Sequence, residues 1–98
     1  MERSEAIRIL RANGDAARRM GATAMYLFGS VARGEAADGG DLDVFIDYDQ
    51  RRRFSLLDLV GIKQLLEQAA RAEIDLTTRD SLHPSLRDEI ERSAIRVF

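Results

Sequence analysis

The chain contains no cysteine, which excludes disulfides, thiolate metal sites and thiol nucleophiles together. Its single histidine is His83, so a bound metal has to rely on oxygen ligands or on that one imidazole. Lysine is nearly absent: Lys63 stands alone among scattered arginines, and the formal net charge is −2. No broad electropositive surface is expected, which disfavours a long nucleic acid as direct substrate. No apolar run is long enough to span a membrane. The N-terminal MERSEAIRIL carries acids where a signal peptide would carry a basic and then an apolar stretch. The expected location is the cytoplasm, without membrane contact.

What remains is ordinary globular material. Over 98 residues, 45% are hydrophobic, 33% are charged and one is proline, enough for one modest core, and a single domain over 1–98 is expected. Apolar residues Ala6, Ile9, Leu10, Ala17 and Met20 recur at helical spacing, predicting a helix from Ser4 to Met20 with Ser4 as N-cap and Gly21 as its stop. Residues Ala24 to Phe28 read as a strand covered on both faces, followed by a short helix near Val31 to Arg33. In the next strand Leu42, Val44 and Ile46 alternate with Asp41, Asp43, Phe45 and Asp47. Leu56, Leu59, Ile62, Leu66 and Ala69 mark a second long helix, with Ser55 as cap and Gly61 as a tolerated weak point. Glu73 to Thr77 follows as a strand with Ile74 and Leu76 inward and Asp75 on the other face. A last helix starts near Pro84 or Ser85, with Leu86, Ile90, Ala94 and Val97 as its apolar stripe.

The order α-β-α-β-α-β-α predicts an α/β (α+β) fold with a small mixed sheet flanked by helices. A crossover from the second strand to the third makes those two parallel, so Asp75 can sit beside Asp43. The shorter connection from Gly29 to Gly40 returns as an antiparallel pair and brings Ser30 next to Asp41.

Residues 29–43, GSVARGEAADGGDLD, therefore carry the functional signal: a Gly-Ser pair closes one strand and, ten residues later, Asp-x-Asp opens the next. Alone, Gly-Ser is a turn and Asp-x-Asp is solvated charge. Joined on a patterned strand, with Asp75 on the following one, they make a phosphate cradle beside a carboxylate cluster. Mg²⁺ takes oxygen ligands and is commonly shared between carboxylates and phosphates. A third carboxylate lets two ions sit roughly 3.5–4 Å apart, clamping the attacking and leaving oxygens of a phosphoryl transfer. Gly29 permits close backbone approach, and Ser30 with nearby amides can donate to phosphate oxygens. Arg33 either contacts phosphate or pairs with Glu35 or Asp38. His83 reads as a cap-region residue, Asp47 and Asp49 as solvated charge, Tyr26 and Phe28 as core, and Arg51-Arg52-Arg53 as a solvated loop.

The segment GSVARGEAADGGDLDVFID resembles the motif of the minimal nucleotidyltransferases, small members of the DNA polymerase beta superfamily. The segment EIDLTTRDSLHPSLRDEIERSAIRVF is similar to the family's C-terminal half, so the resemblance runs from about Ala22 onward. Gly40 departs from the family, which often has Ser there. The resemblance implies a polymerase beta-like core in which Gly29, Ser30 and Arg33 bind the nucleotide. It also implies that Asp41, Asp43 and Asp75 hold two Mg²⁺ ions, with Asp75 helping to deprotonate the attacking hydroxyl. The implied reaction is in-line attack on the α-phosphorus of a nucleoside triphosphate, with ATP as substrate and pyrophosphate leaving. Such proteins are commonly paired with HEPN-type partners, as antitoxins that transfer AMP onto a tyrosine of a toxic ribonuclease. So small a chain is expected to need that partner protein, or a second copy in a homodimer, to complete its pocket. Two functions of different class follow: an active transferase, or a binding module that neutralises its partner by complex formation alone.

Overall fold

The computed structural model describes residues 1–35 and 41–98; Asp38 and Gly40, singled out above, lie outside the described residues. The predicted first helix is two, α1 (Arg3–Ala12) and α2 (Gly14–Arg19). Asn13 breaks it: its backbone sits at φ −102°, ψ 10°, and its side-chain amide turns back to donate to the Ile9 carbonyl at 2.8 Å. Gly14 follows because the Phe98 ring packs there, 3.1 Å from where a Cβ would stand. Ser4 is not the cap. Glu2 occupies that position, and the Ser4 hydroxyl donates to Glu2 Oε1 at 2.6 Å. Gly21 does end the helical segment, at φ +113°, a conformation that favours glycine.

Strand β1 (Ala22–Phe28) starts two residues before its predicted beginning, and a short helix α3 (Gly29–Ala32) follows at once. After β2 (Leu42–Tyr48), Ser55 opens α4 (Leu56–Ala70) with a capping box. The Ser55 hydroxyl accepts from the Asp58 N–H, and the Asp58 carboxylate accepts from the Ser55 N–H at 2.9 Å. Strand β3 (Ile74–Thr78) leads through a 3₁₀ turn (Arg79–Ser81) to α5 (Pro84–Ser93). His83 caps α5 through Nδ1, which accepts from the Ser85 N–H at 3.2 Å. Ala94 and Val97 do not belong to that helix. The chain leaves it at Ala94 and adds β4 (Ile95–Arg96), an element that two residues of pattern could not announce.

The sheet order is β3-β2-β1-β4, with β1 antiparallel to both β2 and β4 and β2 parallel to β3. One face carries Met25, Leu27, Leu42, Val44, Ile46 and Ile74. These pack with Leu10 of α1 and with Ile62 and Leu66 of α4 into one buried cluster. Each such side chain contributes about 1.5–3 kcal/mol through removal from water. Gly61 is less a weak point than a seat: a Cβ there would stand 2.6 Å from Met20 Cε. The other face presents Tyr26, Phe28, Asp43, Phe45, Asp47 and Asp75 by strand alternation. Phe45 is wholly buried on it, stacked on Tyr26 at 4.7 Å between ring centroids.

Candidate active site

Asp43 sits where three strand ends converge. Across the antiparallel ladder it faces Phe28, the last residue before Gly29, and across the parallel ladder it faces Asp75. Asp41 stands just ahead of β2, two residues from Asp43 and exposed to solvent. Pairing β2 parallel to β3 with Leu42 opposite Ile74 puts both predicted carboxylates, Asp43 and Asp75, on one face.

The backbone of Gly29 runs directly against the Asp43 carboxylate. At φ +76°, a Cβ on Gly29 would meet Asp43 Oδ2 at 2.2 Å and Cγ at 3.0 Å. Only glycine lets the chain pass this close. Helix α3 opens there, two residues earlier than predicted, and has four residues. That length gives little macrodipole, so attraction for a phosphate would come from the first-turn amides, which have no partner within the helix, and from the Ser30 hydroxyl. The Ser30 carbonyl closes the turn by accepting from the Glu35 N–H at 2.9 Å.

Partial burial pushes the Asp43 carboxyl above the usual carboxylate range. The negative charges of Asp75 and then Asp41 add to the rise, and the Arg33 guanidinium opposes it. Asp41, Asp43, Asp75 and Arg33 therefore share one local field. Arg33 pairs with Glu35 at 3.3 Å, both side chains more than half exposed, a contact worth about 0–1 kcal/mol. Of the two alternatives for Arg33, the pairing with Glu35 is present, and the same guanidinium still acts on Asp43 electrostatically.

Among the described residues no three His, Asp or Glu side chains converge tightly enough to cage a metal ion unaided. A preformed cage is not what Mg²⁺ needs. It keeps several waters, takes one or two carboxylates and draws its remaining oxygens from substrate phosphates. Asp41, Asp43 and Asp75 carry oxygen donors of the type Mg²⁺ takes, and a divalent cation beside Asp43 would offset the part of its rise that Asp75 and Asp41 cause.

Sequence reading missed Arg79. Asp47, taken for solvated charge, is instead half-buried and accepts from Arg79 Nε at 2.8 Å and Nη2 at 3.1 Å. Arg79 Nη1 donates to Glu91 of α5, and its guanidinium lies 4.8 Å from the Tyr26 centroid and 5.0 Å from that of Phe45. The sequence offers only a faint signal, an acid at position 47 on the same strand face as Phe45, which does not say which cation answers it. Arg79 is the first one after β3. Between α5 and the end of β1 lies a cleft of about 240 Å³ that takes in Phe28, Gly29, Arg33, Leu86, Glu89 and Ile90. Arg51, Arg52 and Arg53 are exposed, as expected of a solvated loop. No helix among the described residues is long and apolar enough to cross a membrane.

Residues 7–97 match the family model described as a nucleotidyltransferase domain. A Methanocaldococcus jannaschii protein that carries the name of a protein adenylyltransferase is 39% identical over 72 residues, covering 74% of this chain and 75% of that one. The protein adenylyltransferase MntA of Thermococcus cleftensis is 29% identical over 79 residues, 81% of this chain and 78% of its own. Among solved structures, one described as a minimal nucleotidyltransferase superposes with a TM-score of 0.83 at 33% identity, over 97% of this chain and 95% of its own. A complex of a tri-AMPylated Shewanella oneidensis HEPN toxin with an MNT antitoxin shares the fold at a TM-score of 0.65 and 16% identity, over 94% of this chain and 71% of that one.

Proposed function

This chain belongs to the nucleotidyltransferase domain family, and from that membership we propose that it is a Mg²⁺-dependent enzyme transferring AMP from ATP onto a hydroxyl of a partner protein. The observation that carries the reading is the junction at Asp43, where Gly29, Asp75 and the field of Asp41 meet.

In this reading Gly29 and Ser30 hold the β- and γ-phosphates by backbone amides and a hydroxyl, and Arg33 neutralises part of their charge. Asp41, Asp43 and Asp75 would hold two Mg²⁺ ions, which supply charge stabilisation to the pentavalent phosphorus and the leaving pyrophosphate. The acceptor oxygen forms its bond to the α-phosphorus as the bridging bond to pyrophosphate breaks. Asp75, exposed on β3, takes the acceptor's proton. Burial and the neighbouring acids disfavour the charged form of Asp43 in the bare protein, and bound cations would favour it.

Similarity to protein adenylyltransferases supports a protein acceptor. Proteins with this fold include one solved with a HEPN toxin that bears AMP groups, and the chain's balanced charge of −2 suits a protein acceptor better than a nucleic acid. We assign this chain the antitoxin role beside a HEPN-type partner, with a second copy of the chain as another means of completing the pocket. The second reading is a binding module that neutralises the partner by complex formation alone.

Incubation with labelled ATP, Mg²⁺ and the partner separates the two. Label on the partner that is lost in Asp41→Asn and Asp43→Asn supports transfer. Neutralisation that survives both substitutions, with no label moved, overturns it in favour of complex formation.

A further inference from the structure

Helix α5 is docked in an unusual way, since none of its residues is buried. A helix without an apolar anchor needs polar ties to keep its position, and two are present on one of its stripes. Glu91 accepts from Arg79, and Arg87 Nη2 donates to the Asp80 carbonyl at 3.1 Å. The neighbouring stripe, Leu86, Glu89 and Ile90, forms the outer wall of the cleft whose inner wall is Phe28, Gly29 and Arg33. One helix thus has its tied edge at the β2–β3 exit and its free edge at the nucleotide end of the sheet. Leu86 is 50% exposed on that free edge.

Arg79 is the hub of the tied edge. It is fixed to the sheet by two bonds that it donates to Asp47 and by the faces of Tyr26 and Phe45, and to α5 by the bond that it donates to Glu91. The planar guanidinium fork meets both carboxylates while stacking on the rings, which a lysine ammonium cannot do. Its contacts with Asp47 hold it more firmly protonated than an ordinary arginine.

We infer that Arg79 is a positioning residue for the nucleotide: through Glu91 it pins α5 across the sheet and so fixes the Leu86–Ile90 wall beside Gly29 and Asp43. The inference rests on the nucleotide-binding reading above and adds to it a residue outside the Gly-Ser and Asp-x-Asp motif. Arg79 touches neither phosphate nor metal; its effect passes through α5.

The test uses the whole chain carrying Leu86→Trp as a fluorescent reporter of the wall, titrated with ATP in the presence of Mg²⁺. Glu91→Gln, which keeps size and removes charge at a surface position, is expected to weaken ATP binding about three- to tenfold. The reporter emission should shift to the red before nucleotide is added. Arg79→Met should match Glu91→Gln, the double variant should lose no more than either single one, and Arg79→Lys should recover part of the affinity. ATP affinity and reporter emission that stay at the parent's values in Glu91→Gln overturn the inference while leaving the nucleotide reading intact. A parent that binds no nucleoside triphosphate overturns that reading, and the inference with it.

Discussion

Gly29 and Asp43 are in contact across two strand ends, so closely that a methyl group on Gly29 would stand 2.2 Å from Asp43 Oδ2. The contact makes one unit of two features that are fourteen positions apart in the chain. It also separates this glycine from Gly34, which shares the left-handed backbone at φ +79° but has nothing within 4 Å.

Gly29→Ala is therefore expected to destabilise by about 2–4 kcal/mol, combining left-handed strain with displacement of the Asp43 carboxylate. Gly34→Ala should cost only the backbone part, about 1–2 kcal/mol. Urea unfolding measures both, and ATP binding should be lost in the first variant and kept in the second.

The pH dependence of stability should carry the mark of Asp43. Its carboxyl holds a proton to higher pH when folded than when unfolded, because burial and then Asp75 and Asp41 raise it. The native state thus binds more protons, and stability falls as pH rises from the ordinary carboxylate range through the folded value, then levels off. In Asp43→Asn that slope should flatten and the metal-free Tm at pH 7 should rise by about 1–3 °C, a small effect because the group is partly solvated. Thermal scans between acid and neutral pH, with and without Mg²⁺, check this, and Mg²⁺ should stabilise only the parent.

Replacing Asp41 or Asp75 by Asn should lower transfer to the partner by about a hundredfold or more, since several kcal/mol of charge stabilisation are removed. Asp49→Asn should leave transfer unchanged, because Asp49 serves the Arg51 backbone N–H at 2.9 Å in the loop beyond β2. Single-turnover assays at saturating ATP compare the three.

Ser55→Ala removes one half of the α4 capping box and should cost about 1 kcal/mol, or about 4–8 °C in Tm. Ser55 lies beyond the far end of β2 from Asp43. Transfer per folded molecule should match the parent, which thermal melting and activity at 20 °C below the variant's Tm would verify.

Much of this arrangement was legible in the residues. The alternation of Leu42, Val44 and Ile46 against Asp43, Phe45 and Asp47 stated which side of β2 meets the helices, and a buried face tolerates only one register. The pairing of Asp43 with Asp75 followed from it. The break at Asn13 was hidden because Ala6, Leu10 and Ala17 keep nearly helical spacing across it, and it takes the ring of Phe98 to explain Gly14. Strand β4 was hidden because it is two residues long and is defined only by pairing with Tyr26 and Leu27. Arg79 escaped notice because its partners, Asp47 and Glu91, are respectively thirty-two and twelve positions away, and no local pattern connects charges at such distances.

The parallel ladder between β2 and β3 also determines where this chain can change length. Asp43 and Asp75 are held opposite each other by strand register, with α4 merely bridging them. Extra residues at 49–53, ahead of the Ser55 cap, would bulge outward and leave both carboxylates where they are. One residue added between Ile74 and Asp75 would turn the second carboxylate to the buried side. Natural variation in length should accordingly gather at the loop and spare the strand.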